Sequence, residues 1–139
     1  MKLNGIAHIQ LTVTDLARAK AFYRPLLERF EMMTLIDADD YYYCIGSRTG
    51  VAIAPADDEH RGEAFHQRRA GLHHICFRAR SREDVDEVHR VVEGLGATIV
   101  HPPQEDDWAP GYYSVLFEDP DGIRLEVNFV PGRGHLEKS

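Results

Sequence analysis

Two histidines and one glutamate have the types and spacing that suit metal chemistry. His8 lies in Ala-His-Ile-Gln-Leu-Thr-Val at 7–13, and His74, 66 residues later, in His-His-Ile-Cys-Phe-Arg-Ala at 73–79. Glu126 lies in Gly-Ile-Arg-Leu-Glu-Val at 122–127. Two imidazoles and a carboxylate suit divalent Fe, Mn, Ni, Co or Zn, and three protein ligands leave positions open for a substrate. The plain alternative is that all three are hydrogen-bonded structural residues. Polar side chains on an inner face carry a desolvation cost unless paired or metallated, which favours the ion. His73 is out of phase with His8 and is read as pointing outward. His60, His66, His89, His101 and His135 have no counterpart in the other half and are read as surface residues.

Positioning these groups requires strands. Residues 5–13 alternate, with Ile9, Leu11 and Val13 on one face and His8, Gln10 and Thr12 on the other, as a half-buried strand does. Thr14 or Asp15 caps a following helix from Leu16, in which Ala19, Phe22, Tyr23, Leu26, Leu27 and Phe30 recur at helical spacing. Pro25 removes a backbone donor there, so a kink or an early helix end is expected. Strand-like runs follow at Met32–Ile36, Tyr41–Ile45 and Val51–Ala54, with a turn at 47–50. The second half repeats this order. A strand spans 74–79, Ser81 caps a helix carrying Val85, Val88, Val91, Val92 and Leu95, and Gly94 and Gly96 sit near its C-cap. Strands near Thr98–Val100, Tyr112–Glu118 and Ile123–Val130 complete it, the last two joined by a turn at 119–122.

The two polar strand faces are then His8, Gln10 and Thr12, and His74, Cys76 and Arg78. Arg124, Glu126 and Asn128 share a third, opposite Leu125, Val127 and Phe129. If the strands curl into a cup, the three candidate ligands converge inside it. Residues 56–70 read as a polar loop, and 102–111 as a mobile loop with Trp108 as lid or pocket wall. The tail 131–139 is expected to be poorly ordered unless it docks.

The 139 residues, 43% hydrophobic and 28% charged, fit one globular domain, with module one at about 5–55 and module two at about 72–130. A net charge of −7 argues against a nucleic-acid partner. No apolar run is long enough to span a membrane, and no secretion signal is visible. Cys44 and Cys76 make no disulfide framework; both are expected to be buried thiols, in a cytoplasmic protein.

Three motifs carry a family resemblance: His-Ile-Gln-Leu-Thr-Val-Thr-Asp-Leu-(x)2-Ala-(x)2-Phe-Tyr at 8–23, His-His-Ile-Cys-Phe at 73–77 and Asp-Pro-Asp-Gly-Ile-Arg-Leu-Glu at 119–126. Over residues 5–130 the chain resembles the vicinal oxygen chelate superfamily, which includes glyoxalase I, bleomycin-binding proteins and extradiol dioxygenases. The resemblance implies an α+β fold of two tandem βαβββ modules in a cupped mixed sheet, with helices on the outer face and a homodimeric assembly. It implies His8, His74 and Glu126 as metal ligands, with a small-molecule substrate chelated through two oxygens by a lyase, isomerase or dioxygenase.

Counting from the turn glycines puts Ala54 where a fourth ligand would stand, so the chain resembles a three-ligand member. Thr12 stands where glyoxalase I carries a glutathione-gripping arginine. Leu116 stands where fosfomycin-resistance proteins and dioxygenases carry a tyrosine, with Tyr112 and Ser114 on the same strand face as possible substitutes. Arg78 and Arg124 are candidates for an anionic substrate group, Gln10 for orienting the substrate, and Glu126 for proton transfer as well as ligation. The competing class is a non-catalytic protein that sequesters a drug or metabolite.

Overall fold

A computed structural model describes residues 1–46 and 48–133. The proposed tail beyond Arg133, His135 within it, and Ser47 of the first turn lie outside the described residues. The chain divides into two compact units, Met1–Ala64 and Phe65–Ser139.

The first unit runs β1 (His8–Val13), α1 (Leu16–Arg29), β2 (Met33–Asp37), β3 (Tyr42–Gly46) and β4 (Thr49–Pro55). Its sheet has the order β1-β4-β3-β2, with β1 parallel to β4 and the other pairs antiparallel. Leu11 and Val13 turn into the core, as the alternation predicts, while His8, Gln10 and Thr12 are exposed. The buried stripe Leu16, Ala19, Phe22, Tyr23, Leu26 and Leu27 of α1 packs on this sheet at β2 and β4, and burying the leucine and phenylalanine side chains stabilises by about 1.5–3 kcal/mol each. Asp15 is the N-cap, accepting from the Arg18 N–H at 3.0 Å, which satisfies one of the donors a helix start leaves open.

The expected early end at Pro25 does not occur: α1 continues to Arg29. The carbonyl freed by the missing Pro25 N–H belongs to Ala21, which is exposed, so water can satisfy it. Beneath the sheet, Tyr42 and Cys44 are fully buried, and Thr34 Oγ1 and Cys44 Sγ each lie 2.9 Å from the Tyr42 hydroxyl.

The second unit runs β5 (Ile75–Arg78), α2 (Arg82–Gly94), β6 (Thr98–Glu105), β7 (Tyr113–Glu118) and β8 (Arg124–Phe129), in the order β5-β8-β7-β6. Pairing repeats the first unit, with β5 parallel to β8. Ser81 Oγ caps α2 by accepting from Asp84 N at 3.1 Å, and Gly96 leaves the helix at φ +77°. Asp119, 5% exposed, shapes the β7–β8 turn by accepting from the Asp121 and Ile123 N–H groups, both at 2.8 Å. Val85, Val88 and Val92 of α2 bury against the sheet face that carries Val115, Phe117, Leu125 and Val127.

One boundary needs correction. Residues 102–105, expected in a loop, belong to β6. Being an edge strand, β6 tolerates Pro102 and Pro103 without ladder donors, and its register shifts on both sides of His101. The remaining loop folds on itself through Tyr112 N→Ala109 O at 3.0 Å and Asp106 N→Tyr112 O at 3.1 Å, with Trp108 74% exposed.

Candidate functional site

Strand register fixes which residues share each polar face. In the first unit His8 is level with Gly50, Ile45 and Met33, and Gln10 with Ala52, Tyr43 and Ile36. In the second, Cys76 is level with Glu126, Leu116 and His101, and Arg78 with Asn128, Ser114 and Gln104. The position matching Glu126 is therefore Ala52, not Ala54. Counting from the turn glycine fails because the turn before β8 is longer than the turn before β4. An alanine stands there in either case.

Within the second unit, parallel pairing of β5 and β8 brings His74 and Glu126 together, with His74 Nε2 3.2 Å from Glu126 Oε2. Two donor atoms of one ion, each about 2.1 Å from it and near a right angle, would lie about 3 Å apart, so this pair fits two metal ligands. It equally fits an ion pair when the imidazole is protonated. Glu126 Oε1 accepts a short hydrogen bond from the Tyr112 hydroxyl. Burial and this hydrogen bond push the Tyr112 phenol above its ordinary value. On its other side His74 Nδ1 lies 2.8 Å from His73 Nδ1, with the two rings edge to face. His73 was read as merely outward; nothing in strand phase reveals that it meets its neighbour's ring. Tyr112 was signalled by face parity, but as a substrate contact.

Cys76 is exposed, not buried as expected, because it faces the same polar side as Glu126. Its thiol is pushed up to about 12 by desolvation and by the Glu126 carboxylate. Cys44 is buried, and both cysteines are free. Arg124 is engaged, its Nε 3.4 Å from Glu118 Oε1 directly across the ladder. Arg78 is exposed, and Ser114 is covered at 1% exposure.

In the first unit His8 is exposed at the start of β1. Gln10 Oε1 lies 3.4 Å from the Tyr41 hydroxyl, and Tyr43 lies over Gly50, where an added Cβ would sit 2.7 Å from Tyr43 Cζ. These tyrosines were not singled out from sequence, although alternation through 41–43 places two of three on the Gln10 face. Among the described residues, no group of three or more His, Cys, Asp and Glu side chains is placed to hold a metal ion.

Two helix-backed sheets of matching order and register define a tandem βαβββ, α+β protein. The chain belongs to the glyoxalase/bleomycin resistance protein/dioxygenase superfamily, whose family model matches residues 5–127. It is 27% identical over 124 residues to the uncharacterized protein YqjT of Bacillus subtilis, covering 86% of this chain and 94% of that relative. Its fold is similar to that of a proposed glyoxalase from Bacillus halodurans, with TM-score 0.80 and 24% identity over 91% of this chain and 96% of that one. A glyoxalase/bleomycin resistance protein/dioxygenase domain from Frankia sp. EAN1pec gives TM-score 0.73 and 26% identity over 92% and 98%. A lactoylglutathione lyase from Agrobacterium tumefaciens gives TM-score 0.67 and 24% identity over 93% and 96%.

Proposed function

We propose that the protein is a divalent-metal-dependent enzyme acting on a small oxygen-rich molecule, with His8, His74 and Glu126 as the metal ligands. The observation carrying this reading is the 3.2 Å approach of His74 Nε2 to Glu126 Oε2 on a face otherwise built for polar contact. With Nε2 unprotonated, these are two electron-rich atoms whose closeness calls for a cation between or beside them. A bound divalent ion would supply open positions for two neighbouring substrate oxygens and Lewis-acid polarisation. His8 provides the third donor, from the same chain or from a second copy in a homodimer.

The chain's own residues do the rest. Arg78 and Arg124 receive an anionic substrate group through N–H donors, Arg124 being held to Glu118 through Nε. Gln10, steadied by Tyr41, orients the substrate by hydrogen bonding. Glu126 also serves as the catalytic residue, its carboxylate moving a proton once it loosens from its ligand role. The reaction class is lyase, isomerase or dioxygenase, in a cytoplasmic setting.

A second reading, a non-catalytic protein sequestering a small molecule, is favoured by each Glu126 carboxylate oxygen having a protein partner, Tyr112 at Oε1 and His74 at Oε2. Anaerobic reconstitution with Fe, Mn, Ni, Co and Zn separates the two. The reconstituted protein is assayed on methylglyoxal–glutathione, fosfomycin with thiols, catechols and acyl-CoA epimers. Turnover lost in Glu126→Gln at unchanged melting temperature supports the enzyme. Tight binding of a small molecule with no turnover under any metal supports the sequestering protein.

A further inference from the structure

We infer that Tyr112 is the positioning residue for Glu126: its hydroxyl holds Oε1, so that Oε2 alone is left to face His74 and a metal ion. This rests on the metal reading above.

Ladder neighbours do not fix the Glu126 carboxylate. Leu116, level with it on β7, has no polar atom, and Cys76, level with it on β5, offers a weak thiol donor. A carboxylate so flanked is free to turn about its last torsion and present either oxygen or both. Tyr112 reaches it from just before β7, four residues ahead of Leu116, and donates to Oε1, while His74 Nε2 stands by Oε2.

The backbone that carries the phenol is itself held. Tyr112 N donates to Ala109 O at 3.0 Å and Tyr112 O accepts from Asp106 N at 3.1 Å. Gly111 beside it sits at φ +71°, and a Cβ there would lie 2.8 Å from Pro131 Cγ, so the approach is fixed at the backbone. Partners that orient a ligand side chain typically change metal affinity 10–100-fold when removed.

The test is Co(II) titration of the full chain, followed by calorimetry and by the visible absorption of the bound ion. Tyr112→Phe keeps the ring and removes the hydroxyl. Its Co(II) dissociation constant is expected to rise about tenfold or more, with an altered absorption spectrum, because a carboxylate released at Oε1 changes the donor set. A dissociation constant within twofold of wild type with an unchanged spectrum overturns the inference and leaves the metal reading standing. If wild type takes up no Co(II), the metal reading fails. The hold on Glu126 is then decided on metal-free protein by melting Tyr112→Phe, Glu126→Gln and the double variant. A double variant no less stable than the weaker single one upholds the contact, and additive losses overturn it.

Discussion

The two units share order, pairing and helix placement, yet the polar faces of their sheets carry different chemistry. In the first, the positions beside His8 and Gln10 on β4 are Gly50 and Ala52, with Tyr43 lying over the glycine. In the second, the matching positions on β8 are Arg124 and Glu126, with Leu116 where Tyr43 stands. A ring over the first sheet needs a missing side chain beneath it. The smaller Leu116 leaves room for long charged side chains on β8. The fold is thus duplicated while a carboxylate stands at this position in the second unit alone, and the first unit's face is apolar and aromatic beyond β1.

The sharpest break of this asymmetry is Glu126→Ala. It removes the carboxylate beside His74 and the acceptor at Oε1 of the Tyr112 hydroxyl; on the proposed metal reading affinity should fall by more than about 100-fold, as loss of a ligand must exceed loss of its support. Equilibrium dialysis against Co(II) checks it. Gly50→Ala tests the first unit: the added carbon collides with the Tyr43 ring, and overpacking of this kind costs about 1–3 kcal/mol, read by urea melting. Helix ends give a milder contrast. α2 is followed by Gly96 at φ +77°, whereas α1 is followed by Glu31 at φ 60°. Gly96→Ala should therefore cost about 1 kcal/mol, while Glu31→Gly should be neutral or mildly stabilising.

The smallest effect is alkaline. Burial and the Cys44 hydrogen bond push the Tyr42 phenol up to about 12 from 10.0. The folded state then holds that proton more tightly than the unfolded chain does. Its contribution is complete below pH 10 and is lost as pH rises through about 12. Tyr42→Phe should flatten the fall in melting temperature over that window.

Duplication, both helix caps and the inward faces of β1, β5 and β8 were legible from alternation and capping chemistry, because these are local rules. Where neighbouring structure overrides a local rule, the sequence misled. Pro25 sits inside α1 because the carbonyl it frees is at exposed Ala21, and Pro102 and Pro103 sit in β6 because it is an edge. The Ala52 correspondence was hidden by unequal turns, which only pairing register reveals. Of the site, the His74–Glu126 approach was legible from strand phase in two separate strands. The Tyr112 and His73 contacts that complete it depend on a loop fold and on a side-chain rotamer, neither of which has a periodic signature.

The most direct test of the central claim is the metal content of untagged protein after reconstitution, measured by mass spectrometry in wild type, His8→Ala, His74→Ala and Glu126→Ala. The account predicts about one ion per chain in wild type and loss of it in each variant, since each removes one of three ligands. Wild type that stays below about 0.2 equivalents, or a His8→Ala protein that binds as wild type does, would contradict it.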